Sequence, residues 1–185
     1  MNLSLSEKER QEQRKIQLFT PLSDTERGWG RGQIRLVELT LKNYGKLPPA
    51  ICYPGQLNQV FMNILSNAID ALEDANQQRT PTEIDLHPNT IWIHTCLVSE
   101  NQIKISIADN GLGVPDTIIT RLFDPFFTTK NVGKGSGLGL TISYQIVTEL
   151  HLGKLNCNST QGLGAEFVVT LPLKAKKIQQ QQVNQ

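Results

Sequence analysis

The spacing of apolar residues predicts most of the secondary structure of this chain. In residues 54–75, PGQLNQVFMNILSNAIDALEDA, apolar positions recur every three or four residues, which is the pattern of a helix with one buried face. Pro54 stands at the first turn of this helix, where a missing backbone N–H costs nothing. A period of two indicates strands elsewhere. The sequence predicts strands over residues 34–42, 90–98, 102–109, 153–160 and 165–173, and further helices over residues 116–123 and 138–150.

These elements fit one α/β domain, over residues 34–174. Short turns follow the strands at 90–98 and 153–160, which indicates two hairpins. The expected architecture is a two-layer sandwich, in which about three helices cover one face of a mixed, mostly antiparallel sheet. Outside these elements the sequence predicts a polar leader and linker over residues 1–33 with a helix over 6–15, a polar connection over 73–89, and a disordered, glutamine-rich tail over 175–185.

Composition and charge narrow the possible functions without identifying one. The chain has 185 residues and a formal net charge of +1, so there is no electrostatic reason to expect a nucleic-acid partner. Its three cysteines lie far apart, with neither a disulfide framework nor a zinc-binding spacing, which favours a reducing cytosol. The sequence has no apolar run of about 18 residues. We therefore expect a cytoplasmic location without direct membrane contact.

A glycine-rich segment, GKGSGLGL at residues 133–140, indicates backbone that contacts phosphate. It is not a Walker-type loop, because Lys134 precedes Gly135 and Ser136 instead of following the second glycine of that motif. It is not a dinucleotide-binding loop either, since no strand pattern precedes it. The glycines would permit positive φ and expose N–H groups, and the helix that follows would favour an anion at its N-terminus.

Three other segments contain candidate chemistry, and each also has an ordinary structural interpretation. Asn63 and Asn67 lie one turn apart, and their amide oxygens suit a Mg²⁺ ion bound with nucleotide phosphates, but they also suit a solvated helix face. Asp109 ends a strand and could accept a hydrogen bond from an exocyclic amine, although Asp-Asn-Gly is also a common turn. In DPFFTTK, Lys130 could contact a polyphosphate, or it could be a solvated lysine beside a small aromatic cluster.

Taken together and in this order, the segments NQVFMNILSNAIDAL, DNGLGVP, DPFFTTK, GKGSGLGLTIS and GLGAEFVVTLP resemble the motifs of a known family. They are similar to the N, G1, F and G2 boxes and the closing glycine motif of the catalytic ATP-binding domain of sensor histidine kinases. That family belongs to the Bergerat-fold superfamily of gyrase, Hsp90, histidine kinase and MutL. The resemblance covers about residues 34–173. It implies an α/β sandwich in which ATP lies between the first long helix and a lid over about residues 124–136.

The resemblance also implies roles for individual residues. Asn67 would be a ligand of Mg²⁺, and Asn63 its companion near the phosphates. Asp109 would read the adenine base, and Lys130 would contact the phosphates, so that Asn63 and Lys130 are the expected catalytic residues. The other residues expected to contact the nucleotide are Gly111, Gly113, Phe126, Thr128, Gly135, Gly137, Leu138 and Gly139.

Two departures from the family pattern affect the expected reaction. In the hydrolysing members of the superfamily a glutamate takes the position of Asn63, and an amide cannot act as a general base, so phosphoryl transfer is expected rather than fast hydrolysis. A histidine kinase also needs an acceptor histidine in a helical hairpin. His87, His94 and His151 do not have that setting, and His151 is expected to cap or pack against a helix end.

The expected acceptor is therefore a histidine on another domain or subunit. The implied partners are a histidine-bearing dimerisation domain and a response regulator, and the chain itself is expected to be a monomer. Two alternatives remain open from the sequence. One is a stand-alone serine kinase of the anti-sigma-factor type, and the other is a regulatory module that binds ATP without catalysis.

Overall fold

A single six-stranded sheet organises the protein. The computed structural model describes residues 47–130 and 135–174 in full, together with the backbone of two earlier strands. The strands lie in the order β1-β2-β3-β4-β6-β5. Only the β2–β3 pair is parallel, and the other neighbours are antiparallel. The strands are β1 (Arg14–Phe19), β2 (Leu36–Tyr44), β3 (Thr90–Ser99), β4 (Gln102–Asp109), β5 (Lys154–Thr160) and β6 (Gly164–Pro172).

The helices differ greatly in length. Helix α1 has 23 residues, and its Pro54 lies in the first turn as the sequence predicted. The last helix, α4, continues into one π-helical turn, Ile146–Leu150, at its C-terminal end. The helices are α1 (Pro54–Asn76), α2 (Pro81–Leu86), α3 (Asp116–Ile119) and α4 (Gly139–Gln145).

The core lies between one face of the sheet and helices α1 and α4. Val60, Ile64 and Leu72 of α1 are fully buried, and successive members are four and eight residues apart along one helix face. Burial of each such side chain contributes roughly 1.5–3 kcal/mol to folding, so this stripe fixes the helix on the sheet. The same cluster contains residues of the sheet and of the last helix: Ile91, Ile103, Ile107, Ile146, Val147, Leu155, Phe167, Val169 and Leu171.

This architecture confirms the predicted fold class, a two-layer α/β sandwich with a mixed, mostly antiparallel sheet. Both predicted hairpins form, as β3–β4 and β5–β6. None of the helices in the described part of the chain is long and apolar enough to cross a membrane.

Two predictions of local structure are wrong. Arg14 and Lys15 belong to β1, which pairs with β2, so this part of the predicted leader is an edge strand and not a helix. Residues 6–13, the remainder of that predicted helix, lie outside the described residues, as does the predicted tail at 175–185. The predicted connection at 73–89 contains helix α2, which begins with a capping box between Thr80 and Glu83. The pattern Thr-Pro-x-Glu is a recognisable signal for this start.

Candidate functional site

A cavity of about 400 Å³ lies beside α1, and its volume is in the range of small-molecule sites. Its walls come from α1, from the segment after β4, from residues 122–130 and from the glycine segment that begins at Gly135. The structure therefore brings together, in one cavity, segments that are far apart in the sequence. Nine of the predicted site residues line it: Asn63, Asn67, Asp109, Gly113, Thr128, Lys130, Gly135, Gly137 and Gly139.

Three predicted site residues do not line this cavity. Phe126 is 74% exposed and has a positive φ of 64°, while its neighbour Phe127 lines the cavity in its place. Gly111 is buried outside the cavity lining, and its N–H donates to Oδ1 of Asp109 at 2.9 Å. Leu138 is the residue before the first turn of α4. Spacing within a motif could not decide which of two adjacent phenylalanines turns inward.

Asn63 connects α1 to the start of α4. Its Nδ2 donates to the carbonyl oxygen of Gly139 at 3.0 Å and to Oγ of Ser143 at 3.1 Å. The Ser143 hydroxyl in turn donates to the Gly139 carbonyl at 2.8 Å, and Ser143 is fully buried. Because a backbone carbonyl only accepts hydrogen bonds, this contact fixes the nitrogen side of the amide toward α4. The Oδ1 of Asn63 is the atom left for other partners.

Lys130 lies over the next turn of α1. Its Nζ is 3.1 Å from Oδ1 of Asn67 and 2.5 Å from Oδ2 of Asp70. The Lys130 and Asp70 side chains are 30% and 41% exposed, so this ion pair is at the edge of the cavity and partly screened by solvent. One end of the cavity thus combines an amide oxygen, a carboxylate and an ammonium group.

Asp109 lies at another wall of the cavity, at the end of β4. Only 5% of its surface is exposed, and this burial raises the pKa of the carboxyl group above its usual value. Backbone hydrogen bonds from Gly111 and Ala165 lower the pKa and partly offset the effect of burial. The result is a carboxyl group held by the backbone in an apolar wall, where a donor group on a ligand would be recognised.

The segment after Asp109 packs closely against the β5–β6 hairpin. Gly113 has a φ of +67°, and a Cβ there would collide with the carbonyl oxygens of Thr160 and Gly164, so only glycine fits. The hydroxyl of Ser159 accepts from the N–H of Val114 at 2.7 Å and donates to the Gly164 carbonyl at 2.7 Å. The hairpin therefore fixes the backbone that follows Asp109.

The glycine segment runs alongside residues 126–130. A Cβ on Gly135 would lie 3.1 Å from Oγ1 of Thr128, and one on Gly137, whose φ is +66°, would lie 2.5 Å from the carbonyl carbon of Phe126. Gly139 packs beside Asn63. Gly133 and Lys134, the first two residues of the predicted loop, lie outside the described residues.

His151 is a packing residue, as expected from the sequence. Its Nε2 accepts the backbone N–H of Tyr53 at 3.0 Å, and its Nδ1 lies 2.8 Å from the carbonyl oxygen of Ile146. The histidine joins the start of α1 to the end of the last helix.

Sequence reasoning missed several residues of the site and its support. Asp70 and Phe127 line the cavity, and the spacing of Asp70 three residues after Asn67 on a predicted helix could have indicated it. Ser143 and Ser159 had no such signal, because their partners are 80 and 45 residues away in sequence.

The polar side chains of the cavity fit a nucleotide and a hard divalent cation. Asn67 offers a neutral amide oxygen, a kind of ligand that Mg²⁺ accepts, and Asp70 beside it is paired with Lys130. Lys130 offers a positive charge to phosphate, and Asp109 offers a buried acceptor to a base. These groups lie at separate parts of one cavity, as the parts of a nucleotide require.

Two solved structures share the fold of this chain. The full-length ShkA structure in complex with AMPPNP is 24% identical with a TM-score of 0.60, and the match covers 75% of this chain and 26% of that one. The mycobacterial sensor histidine kinase MprB is 23% identical with a TM-score of 0.56, over 76% of this chain and 83% of that one. At these identities the likeness establishes the fold.

The family follows from the sequence comparisons. The family described as histidine kinase-, DNA gyrase B-, and HSP90-like ATPase matches residues 52–175. The chain therefore belongs to this family of ATPases, and the resemblance inferred from its motifs is confirmed.

Two named relatives show which members of this family the chain resembles in sequence, and both are kinases. Sporulation kinase E of Bacillus subtilis is 36% identical over 75% of this chain and 16% of the relative, and sensor kinase CckA of Brucella abortus is 34% identical over 74% and 14%. The chain is homologous to the ATPase domain of sensor histidine kinases, and it spans about one sixth of the length of these relatives.

Proposed function

We propose that this chain is the Mg·ATP-binding catalytic domain of a two-component sensor histidine kinase, which transfers the γ-phosphoryl group of ATP to a histidine on another domain or subunit. The observation that carries the proposal is the cavity in which Asp109 lies at one wall and Asn67 and Lys130 lie together at another. The kinase names of the relatives favour this function over a stand-alone serine kinase or a non-catalytic module.

Different residues of the cavity would contact different parts of the nucleotide. The Asp109 carboxylate would accept a hydrogen bond from the exocyclic amine of adenine, and the backbone at Gly113 would lie against the ring. Asn67 would hold Mg²⁺ through its amide oxygen, with Oδ1 of Asn63 beside it. Lys130 would contact the phosphates, and Thr128 and Gly135 would complete this side of the cavity.

Catalysis in this arrangement is positioning and electrostatic stabilisation. Phosphoryl transfer requires the attacking and leaving atoms in line, with the charge of the transferred group neutralised. When bound, Mg²⁺ supplies part of that neutralisation. Lys130 would add a positive charge, and the backbone of Gly135 and Gly137, which lines the cavity, would add peptide dipoles.

The surroundings of Asn63 and of the histidines favour transfer over hydrolysis. The amide of Asn63 has no basic group, and its nitrogen is engaged by Gly139 and Ser143, so it would not activate water. His151 is buried with both ring nitrogens engaged, and His94 lies within strand β3. An acceptor imidazole on another domain or subunit is the simpler arrangement.

The proposed function implies particular partners, a location and cofactors. The partners would be a histidine-bearing dimerisation domain and a response regulator, and the reaction would take place in the cytoplasm. The ATP-binding unit would correspond to residues 34–174, as a monomer by itself, with Mg²⁺ and ATP as cofactors.

Transfer can be tested with the chain and ATP labelled in the γ position. The chain is incubated with MgCl₂ and labelled ATP, alone and with histidine-bearing dimerisation domains of sensor kinases supplied separately. We expect acid-labile label on the added domain and none on the chain. If ATP binds but no dimerisation domain becomes labelled, the proposed transfer is rejected.

Two asparagines of helix α1 provide the matched control for the site. Asn67→Ala should abolish binding and transfer, because it removes the proposed metal ligand. Asn58→Ala, on an exposed position of the same helix, should leave both at the level of the unchanged chain. Equal effects of the two substitutions would place the nucleotide elsewhere.

A further inference from the structure

A salt bridge in the site involves Asp70, a residue to which the motifs assign no role. The Nζ of Lys130 is 2.5 Å from Oδ2 of Asp70 and 3.1 Å from Oδ1 of Asn67. Asn67 and Asp70 are three residues apart on α1 and therefore share one face of the helix. The ammonium group thus lies on the same amide oxygen that is proposed to hold the metal ion.

One oxygen atom does not hold both cations favourably. A metal ion coordinated by the Asn67 amide lies about 2 Å from its oxygen. An ammonium group hydrogen-bonded to the same atom would then be within about 5 Å of a charge of +2, at the partly shielded edge of a cavity. Lys130 must therefore leave Asn67 when a metal ion binds there, and the phosphates are the anionic partner toward which it would move.

This movement leaves Asp70 without its cation. The freed carboxylate then lies beside a polyphosphate, where like charges repel. A divalent cation on Asn67, one turn away, offsets that repulsion. Without the cation, a nucleotide can attract Lys130 only by leaving the Asp70 carboxylate unpaired.

We propose that Asp70 is a positioning residue that acts through Lys130 and makes nucleotide binding depend on the divalent cation. The carboxylate holds the ammonium at Asn67, so that ATP alone competes poorly for Lys130 whereas Mg·ATP replaces the lost charge. The inference rests on the proposed function, since it needs ATP in this cavity, and it adds a residue that makes nucleotide binding depend on the divalent cation.

The test measures the dissociation constant of ATP by calorimetry, once with MgCl₂ and once with EDTA. Asp70→Asn should tighten binding of metal-free ATP by about tenfold or more and change binding of Mg·ATP by less than threefold. Asp70→Glu, which keeps the charge, should restore the original ratio of the two constants to within threefold. Glu73→Gln makes the same charge change on α1, outside the lining of the described cavity, and should leave the ratio unchanged.

A double-mutant cycle separates action through Lys130 from simple repulsion. In a Lys130→Gln background, the effect of Asp70→Asn on metal-free ATP should be clearly smaller than in the unchanged chain, because only the repulsion between the Asp70 carboxylate and the phosphates remains. The same effect in both backgrounds, or no effect in either, overturns the proposal. A larger loss for Mg·ATP than for metal-free ATP also overturns it, because Asp70 would then act as a metal ligand. If the unchanged chain does not bind Mg·ATP at all, the proposed function is rejected, and this inference with it.

Discussion

The side-chain amide of Asn63 donates a hydrogen bond to the carbonyl oxygen of Gly139, and the nitrogen and oxygen atoms are 3.0 Å apart. This contact joins the middle of α1 to the first residue of α4, across 76 positions of sequence. The glycine segment next to the cavity is thereby held at its C-terminal end by the same helix that carries the proposed metal ligand. The buried hydroxyl of Ser143 completes the connection.

We predict that Ser143→Ala destabilises the protein, although alanine is the better helix former. Loss of the hydroxyl leaves partly buried polar groups of Asn63 and Gly139 with fewer partners, which costs about 1–3 kcal/mol, and the gain in helix propensity returns about 0.5 kcal/mol. Urea unfolding should show a net loss of about 0.5–2.5 kcal/mol.

Thr148 provides the control for this prediction. Its hydroxyl also donates to the carbonyl oxygen four residues earlier, that of Tyr144, at 2.7 Å, but at an exposed position. Thr148→Val should change the free energy of unfolding by less than about 0.5 kcal/mol. Equal losses for the two substitutions would contradict a special role of the Asn63 connection.

We predict that Asp109→Asn changes how stability depends on pH. Burial raises the pKa of the Asp109 carboxyl in the folded protein above its usual value of 3.8. Between pH 3.8 and the raised pKa, the folded form therefore binds a proton that the unfolded form has released. The free energy of unfolding of the unchanged protein therefore falls, through this group, as pH rises across the interval. The asparagine variant lacks this loss.

Denaturant unfolding of both proteins from pH 3 to pH 8 measures the difference. The variant should gain stability relative to the unchanged protein as pH rises, and the gain should level off above the raised pKa. Asp85→Asn, on the exposed helix α2, should not reproduce this profile. A relative stability that decreases with rising pH would show that the Asp109 pKa is lowered.

Cys157 should react slowly with alkylating reagents. Burial, and to a smaller extent the charge of Asp109, raise the pKa of its thiol to about 11. At pH 8 the thiolate, which is the reactive form, is then about one part in a thousand of this cysteine. The rate of modification of its peptide by iodoacetamide, measured by mass spectrometry, should rise steadily up to about pH 11.

The same measurement reports on Asp109. Asp109→Asn removes the neighbouring negative charge, so the pKa of Cys157 should fall and its alkylation at pH 8 should become faster. The exposed substitution Asp85→Asn should leave the rate unchanged. A rate that does not respond to Asp109→Asn would mean that the two groups do not interact.

Two glycines should respond in opposite ways to replacement by alanine. Gly113→Ala meets carbonyl oxygens of the β5–β6 hairpin at a positive φ, and the combined strain and overlap should cost about 2–5 kcal/mol. Gly55, in the first turn of α1, has no atoms within 4 Å of an added Cβ, and Gly55→Ala should be neutral or stabilising by up to about 1 kcal/mol. Thermal unfolding distinguishes these outcomes, and similar midpoints for both variants would contradict the close packing at Gly113.

Patterns that lie within one element were readable from the sequence. Helix α1 repeats its apolar residues over six turns, and the bounds predicted for it agree with the structure to within one residue. The hairpins were also readable, because their strands are adjacent and joined by short turns. By contrast, the pairing of β2 with β3 and the position of β1 depend on contacts between distant residues, which no local period records.

The sequence by itself determined the order and chemistry of the motifs: two asparagines on one helix face, an aspartate at a strand end, and a lysine before a glycine segment. Tertiary structure alone decided which of these groups meet. It turned Phe127 and not Phe126 toward the cavity, joined Asn63 to Ser143, and placed Lys130 between Asn67 and Asp70. The physical reason is that the type of a side chain sets what it can bind, whereas its partner depends on backbone packing between elements far apart in the chain.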